Sequence, residues 1–264
     1  MRILFIGDIM GRIGRQAVQK ILPGLKAELQ PDLVIANAEN IAHGSGVTSK
    51  TLQEARLAGV DFFTSGNHTL DKPEVLELFN VADPLLIRPA NYQAGAPGTG
   101  YKIFEVGSRK ILVINLMGQV FIKGDHTNPF QKLDEILAEV EAEKLAAIFV
   151  DFHAEITSEK RAFGQYAAGR VSVVVGTHTH VPTADCQVMP GGTAYVSDVG
   201  MVGARDSVIG NVKDSIIADF INNTKSRKDI PESGLVDLGA VVIDIDPATR
   251  KATKIERVDR TIEV

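Results

Sequence analysis

The chain has 264 residues, room for one large domain or two small ones and ample for a buried core, in an ordinary globular composition with few aromatics and no tryptophan. Its net charge of −5 excludes an overall basic field for nucleic acid, and the one basic cluster, KSRKD at 225–229, reads as a solvated loop. The single cysteine, Cys186, excludes an internal disulfide and a cysteine-rich zinc site, and no apolar run is long enough for a signal peptide or a membrane span, so the expectation is a cytoplasmic protein with no membrane partner.

No internal repeat, low-complexity segment or linker divides the chain, which predicts one domain over 1–264. RILFIGD (2–8) is an apolar strand, and residues 14–30 read as helical, with Pro23 marking a break or a second helix start. DLVIANAEN (32–40) is a second strand; TSKTLQEARLAG (48–59) is a helix with Thr48 or Ser49 as N-cap and Gly59 as its stop. VDFFTSGNH (60–68) is a third strand, followed by a helix near 72–80. YKIFEVGSRKILVINL (101–116) is an antiparallel pair around a Gly-Ser turn. Residues 130–144 return to helix, with Leu133, Ile136, Leu137 and Val140 on one face. Strands at 146–153 and 171–180 flank a helix near 157–168, and the C-terminal region reads as two strands joined by a Pro-containing turn. Alternating strands and helices imply parallel units, and the hairpins add antiparallel pieces, so the sheet is mixed or there are two sheets.

Five of these apolar runs end in acids, amides or imidazoles: Asp8; Asn37, Glu39 and Asn40; Asn67 and His68; Asp151 and His153; His178 and His180. Parallel strands bring their C-terminal ends to one edge, where ligands of open α/β sheets bind. Each residue has a plainer reading: Asp8 as a helix cap, Glu39 in a solvated loop, Asn67 in a turn, His153 on the surface, Asp151 as a structural group. Those readings would have to hold together at five strand ends. His43, in the glycine loop AHGSG, and His126, in KGDHTNP, read as loop residues outside the catalytic set.

In VVVGTHTHVPTAD (173–185) the two histidines are spaced by two, which places both imidazoles on one side if the strand runs on through them. Carboxylates, amide oxygens and imidazoles without thiolates suit manganese, iron, zinc or cobalt, and three imidazoles argue against a magnesium-only or calcium site. About six donors exceed the needs of one ion with an open position, whereas two ions roughly 3.5–4 Å apart would use them all, with the Glu39 carboxylate able to bridge.

GD at 7–8, GNH at 66–68 and GTHTH at 176–180 resemble the scattered motifs of calcineurin-like metallophosphoesterases. FIGDIMG, NAENIAHGSG, SGNHTLDK, RPANY, INLMGQ, VDFHAEITSEK, GTHTHVPTAD and AYVSDVGM resemble more closely the YmdB-type bacterial phosphodiesterases of cyclic nucleotides, over nearly the whole chain. The broad family has D-x-H in its first motif; here Met10 stands third, as in the narrower branch, where asparagine at the position of Asn40 completes the site.

The resemblance implies an α/β fold, a four-layer α/β sandwich with two mixed central β-sheets. It implies two divalent or mixed-valence metal ions, iron or manganese ahead of zinc. Asp8, Glu39, Asn40 and His180 would hold the first, and Glu39, Asn67, His153 and His178 the second. The implied activity is hydrolysis of a cyclic nucleotide (2′,3′- and also 3′,5′-cyclic) or another phosphodiester by in-line attack of a metal-bound hydroxide, with His68 as general acid. Family members can assemble as homo-oligomers, and no stable nucleic-acid complex is expected. Two alternatives stand beside it: a phosphomonoesterase or protein phosphatase on the same two-metal chemistry, and a non-catalytic metal-dependent nucleotide-binding protein.

Overall fold

The computed structural model describes residues 1–264. In chain order the elements are β1 (Arg2–Ile6), β2 (Asp8–Ile9), α1 (Gly11–Leu29), β3 (Leu33–Asn37), α2 (Ser49–Ala58), β4 (Phe62–Thr64), α3 (Val75–Phe79), β5 (Tyr101–Val106) and β6 (Arg109–Met117). There follow α4 (Pro129–Glu139), β7 (Leu145–His153), α5 (Thr157–Ala167), β8 (Val173–Thr177), β9 (Gln187–Met189), β10 (Thr193–Val196), β11 (Met201–Ala204), α6 (Lys213–Asn222), β12 (Leu235–Leu238), β13 (Ala240–Asp246), β14 (Lys251–Arg257) and β15 (Arg260–Glu263).

Two mixed sheets face one another. The first runs β14-β13-β1-β3-β4, with β1, β3 and β4 parallel; the second runs β5-β6-β7-β8-β10-β9, with β6, β7, β8 and β10 parallel. Strand alternation decides what lies between them. Ile3, Phe5 and Ile35 point from the first sheet onto Val113, Phe149, Val173 and Val175 of the second in one buried cluster. The opposite residues of the first sheet, Leu4, Ile6, Val34 and Ala36, bury against α1 and α2. The opposite residues of the second, Leu112, Ile114, Ile148 and Val150, bury with Leu133 and Ile136 of α4 and Phe163 of α5. Helices, sheet, sheet and helices make the four layers expected.

The structure corrects several expectations. A third sheet, β15-β12-β11-β2, was not foreseen, and the C-terminal region holds four strands instead of two. The first strand breaks at Gly7, beyond which Asp8 and Ile9 pair with β11. A Cβ at Gly7 would lie 1.8 Å from the Gly200 carbonyl oxygen, so only glycine lets the chain pass there. Pro23 neither breaks nor starts a helix: α1 is continuous through it. Its ring sits on the exposed face, where the carbonyl it leaves unbonded can turn to water. Thr48 is the N-cap of α2, accepting from the Thr51 N–H at 3.3 Å, and Gly59 closes the helix at φ +113°.

Candidate metal centre

The C-terminal ends of the parallel strands in both sheets meet at one edge. His153 ends β7 in the second sheet, and its Nε2 lies 3.0 Å from Oε2 of Glu39, two residues past β3 of the first. The same nitrogen is 3.1 Å from Asn67 Oδ1 and 2.9 Å from His178 Nδ1. On the other side of Glu39, Asp8 Oδ1 stands 3.8 Å from His180 Nε2, which is 3.2 Å from Asn40 Oδ1. Donor atoms of Glu39, His153 and His178, and separately of Asp8, Glu39 and His180, lie within 4.8 Å of one another, so Glu39 belongs to both groups. All seven residues named from the sequence as metal ligands are thus brought together.

Strand β8 ends at Thr177, however, and does not run through the histidines. His178 and His180 take left-handed backbone at φ +99° and +65°. The chain kinks twice, and the imidazoles part to serve the two groups instead of sharing one side. Asp198 fixes this turn. Its Oδ2 accepts from the Thr179 N–H (3.1 Å), from Thr179 Oγ1 (2.7 Å) and from Lys160 Nζ (2.6 Å), all at buried or half-buried positions.

Each imidazole is held by its outer nitrogen. His153 Nδ1 is 2.9 Å from Thr177 Oγ1, whose hydroxyl donates to Asp151 Oδ1 at 2.7 Å; Nδ1–H is therefore the donor to threonine. His178 Nε2 lies 2.9 Å from Glu155 Oε2, and His180 Nδ1 lies 3.0 Å from the Ile209 carbonyl, so both carry hydrogen on those atoms. Asn40 donates its Nδ2 to the Gly44 carbonyl at 2.9 Å, which turns Oδ1 inward. With His153 neutral, the inward atoms are lone pairs only: two carboxylates, two amide oxygens and three imidazole nitrogens. Asp8 Oδ1 is fully buried and has no hydrogen-bond partner. A cluster of acceptors with an orphaned carboxylate oxygen calls for positive charge at its centre, and its donor types fit divalent metal ions. Asp151 is no member of this inner set: Thr64, Thr177 and Asn37 all donate to it, making it the anchor beneath His153.

The electrostatics show the same demand. Burial pushes the Asp8 carboxyl up to about 7, against the pull of His180 and His153. Burial also opposes the charge of Glu39, but His153 outweighs it and brings the carboxyl down to about 2. Burial disfavours imidazolium at His153, yet Glu39 and Asp8 hold its proton up to about 9. Burial and then His153 push His178 down to about 3. At Gly66 the backbone comes close to the donors: a Cβ there would meet Glu39 Oε2 at 2.2 Å and the His153 ring at 2.4 Å.

The donors open on a cleft of about 610 Å³ lined by Glu39, Asn40, His68, His178 and His180 together with Ile209, Asn211, Lys228 and Ile230. His68 makes no contact with the other imidazoles; its Nδ1 lies 2.7 Å from Asp71 Oδ2, and Ser45 donates to the same oxygen. His43, left outside the set as a loop residue, lines the cleft, whereas His126 lies in a loop with Nε2 2.9 Å from the Gly118 carbonyl. KSRKD is the exposed loop expected, and its Lys228 also lines the cleft. Sequence reasoning also missed Asp71, Glu155 and Thr177 as partners of the imidazoles. Asp71 carried a signal in its closeness, three residues past His68, whereas Glu155 partners His178, 23 residues away.

A family model described as YmdB-like protein matches residues 4–258. The chain belongs to the YmdB-like family. It is 47% identical over 258 residues to the 2′,3′-cyclic-nucleotide 2′-phosphodiesterase of Bacillus subtilis (strain 168), covering 98% of this chain and 96% of that protein. A crystal structure described as a novel phosphatase of Mycoplasma pneumoniae superposes with a TM-score of 0.93 at 37% identity, covering 100% of this chain and 94% of that one. A 5′-nucleotidase precursor of Thermus thermophilus superposes with a TM-score of 0.58 at 13% identity, covering 100% of this chain and 54% of that one, a likeness of fold alone. The fold is that of the calcineurin-like metallophosphoesterases. No helix is long and apolar enough to cross a membrane.

Proposed function

We propose that residues 1–264 act as one domain that hydrolyses phosphodiesters, 2′,3′-cyclic nucleotides above all, at two cations. Asp8, Glu39, Asn40 and His180 would hold one and Glu39, Asn67, His153 and His178 the other, with Glu39 shared. The observation that carries this reading is the inward set of lone pairs around Glu39, with no hydrogen-bond donor to Asp8 Oδ1. The kinship supports the substrate class: the relative from Bacillus subtilis is named for 2′,3′-cyclic-nucleotide hydrolysis. Iron or manganese suits donors of this type.

Cations so held supply charge for the phosphoryl oxygens and acidify a water molecule toward neutral pH. The protein does the rest. The buried relay Asp151–Thr177–His153 and the pair Glu155–His178 hold the imidazoles in the tautomer that leaves the inner nitrogen free. His68 stands on the cleft wall, its backbone N–H donating to Glu39 Oε2 at 3.3 Å, and its imidazole delivers a proton to the departing alkoxide. Asp71 accepts from its Nδ1 and orients the ring. A five-membered cyclic diester presents one ester oxygen to the attacking water and the other to His68, and its ring strain lightens the task.

The experiment is a panel of 2′,3′-cyclic, 3′,5′-cyclic, linear diester and monoester substrates with manganese or iron supplied. The 2′,3′-cyclic substrates should turn over fastest. Turnover confined to monoesters would transfer the protein to the phosphatases.

A further inference from the structure

The far wall of the cleft contains a turn that its own sequence disfavours. Val208 N–H donates to the Asn211 carbonyl at 2.9 Å and Asn211 N–H to the Val208 carbonyl at 3.0 Å, closing a two-residue turn on Ile209 and Gly210. Both have positive φ, +45° and +92°. Such a turn favours Asn-Gly or Gly-Gly, because a branched Cβ crowds the backbone in the left-handed region. Ile209 is the least suited kind of residue for its place, and burial does not repay the strain, since it is 44% exposed. Its carbonyl accepts from His180 Nδ1, but any residue supplies a carbonyl. What remains unexplained is the side chain.

That side chain stands between two cavities. One is the metal-donor cleft. The other, of about 490 Å³, lies between the turn and α6, and Ile209, Asn211 and Lys228 wall both. The first is lined mainly by polar groups. The second adds Ile216 and Phe220, an aromatic ring left 80% exposed, beside the polar side chains of Asp219, Asn223, Thr224 and Lys225. An anion-seeking cleft thus continues, past a lysine ammonium, into a concave apolar recess with an aromatic wall. A nucleotide has the matching order of parts: phosphate, ribose, then a flat base with apolar faces and a polar edge.

Resting on the phosphodiesterase reading above, we propose that Ile209 and Phe220 form the nucleobase subsite of this enzyme, with Asn211 and Lys228 at its junction with the phosphate site. The faces of the base lie against Ile209 and Phe220.

The test compares a 2′,3′-cyclic nucleotide with glycerol 1,2-cyclic phosphate, which keeps the strained ring and lacks a base, on the metal-loaded protein. In Phe220→Ala and Ile209→Asn the ratio of kcat/KM for the nucleotide to that for the base-free ester should fall about tenfold, the scale of one base–aromatic contact, through KM for the nucleotide. Ile209→Asn should also raise Tm, since asparagine tolerates the turn, which shows that the variant folds. An unchanged ratio, or equal losses on both esters, overturns the subsite. So does dissociation of an oligomer by Phe220→Ala with the ratio unchanged, which would give this face to a second copy. Equilibrium binding separates the two readings: preference of the wild type for the nucleotide over the base-free ester without turnover of either sinks the catalytic reading and keeps the subsite. Absence of that preference sinks the subsite.

Discussion

The two halves of the donor cluster differ in spacing and in charge. Around His153 the partners crowd: Glu39, Asn67 and His178 each place an acceptor 2.9–3.1 Å from Nε2. Around Asp8 they stand apart, with His180 at 3.8 Å and His153 at 4.0 Å. The crowded half has one carboxylate and three neutral donors, and it closes on a proton held by His153 up to about 9. The open half has two carboxylates, and its strain shows in Asp8, whose buried carboxyl rises to about 7. The same demand for positive charge is met by a proton at one end and by partial neutralisation of an acid at the other. A cation held by the first half would compete with a proton on His153, and one held by the second would compete with a proton on Asp8.

The variant with the largest expected effect erases the comparison. Glu39→Ala removes the only residue common to both halves and should lower metal content at both, taking diester hydrolysis to background. Asp8→Asn should instead empty the open half and leave about one ion per chain, since Asp8 belongs to that half alone. Metal analysis after purification without chelator reads both. Two ions per chain at unchanged affinity in Glu39→Ala would end the shared role.

His68 belongs to neither half, and its removal should leave both filled. General acid catalysis is typically worth about 10²–10⁴-fold, so His68→Ala should lose rate on that scale with full metal content. The loss should shrink for a nitrophenolate leaving group, which departs without a proton. Equal losses for good and poor leaving groups would count against the acid role.

The donor side of the cleft was legible in the sequence because each group ends an apolar run, and parallel strands must bring such ends to one edge. The four layers followed from the alternation of strands and helices together with the family likeness. The far wall was not legible. Strands β9 to β11 are three or four residues long, too short for periodicity to mark them, and α6 leaves much of its apolar surface exposed. Ile209 and Lys228 carry no motif; only the folded chain brings them to the cleft that Glu39 lines. The geometry of His178 and His180 was misread for a local reason. Spacing by two means one side only in extended backbone, and both residues are left-handed.

A smaller effect separates the halves through their supports. Thr177 is fully buried and relays Asp151 to His153 alone, so Thr177→Val removes the acceptor that fixes the His153 tautomer at nearly constant volume. Loss of such an outer partner typically costs about 10–100-fold in metal affinity. Titration of metal into the chelated variant should show one site weakened by that factor and the other unmoved. Equal weakening of both would mean that the halves do not bind independently.

The smallest effect is the pH dependence of the metal-free protein, and the comparison fixes its sign. His153 is raised from its ordinary 6.5 to about 9, so its contribution is complete below 6.5 and disappears as pH rises through about 9. Asp8, raised from 3.8 to about 7, contributes fully below 3.8 and loses that contribution as pH rises through about 7. His178, lowered from 6.5 to about 3, and Glu39, lowered from 4.5 to about 2, contribute at higher pH and lose it as pH falls through those lower values. Between about pH 4.5 and 6.5 the gains at Asp8 and the losses at His178 oppose one another. Below that window Glu39 and His178 both weaken the fold, and above it the loss at His153 dominates. The chelated protein should therefore melt highest near pH 4.5–6.5 and lose Tm steadily from 6.5 to 9. The metal-loaded protein should not follow it, because bound cations favour deprotonated ligands, so the gap in Tm between loaded and chelated protein should widen with pH. His153→Gln, which has no proton to lose, should flatten the chelated slope above pH 6.5. A chelated Tm that is level or rising from 6.5 to 9 in the wild type would show that the crowded half does not close on a proton at all.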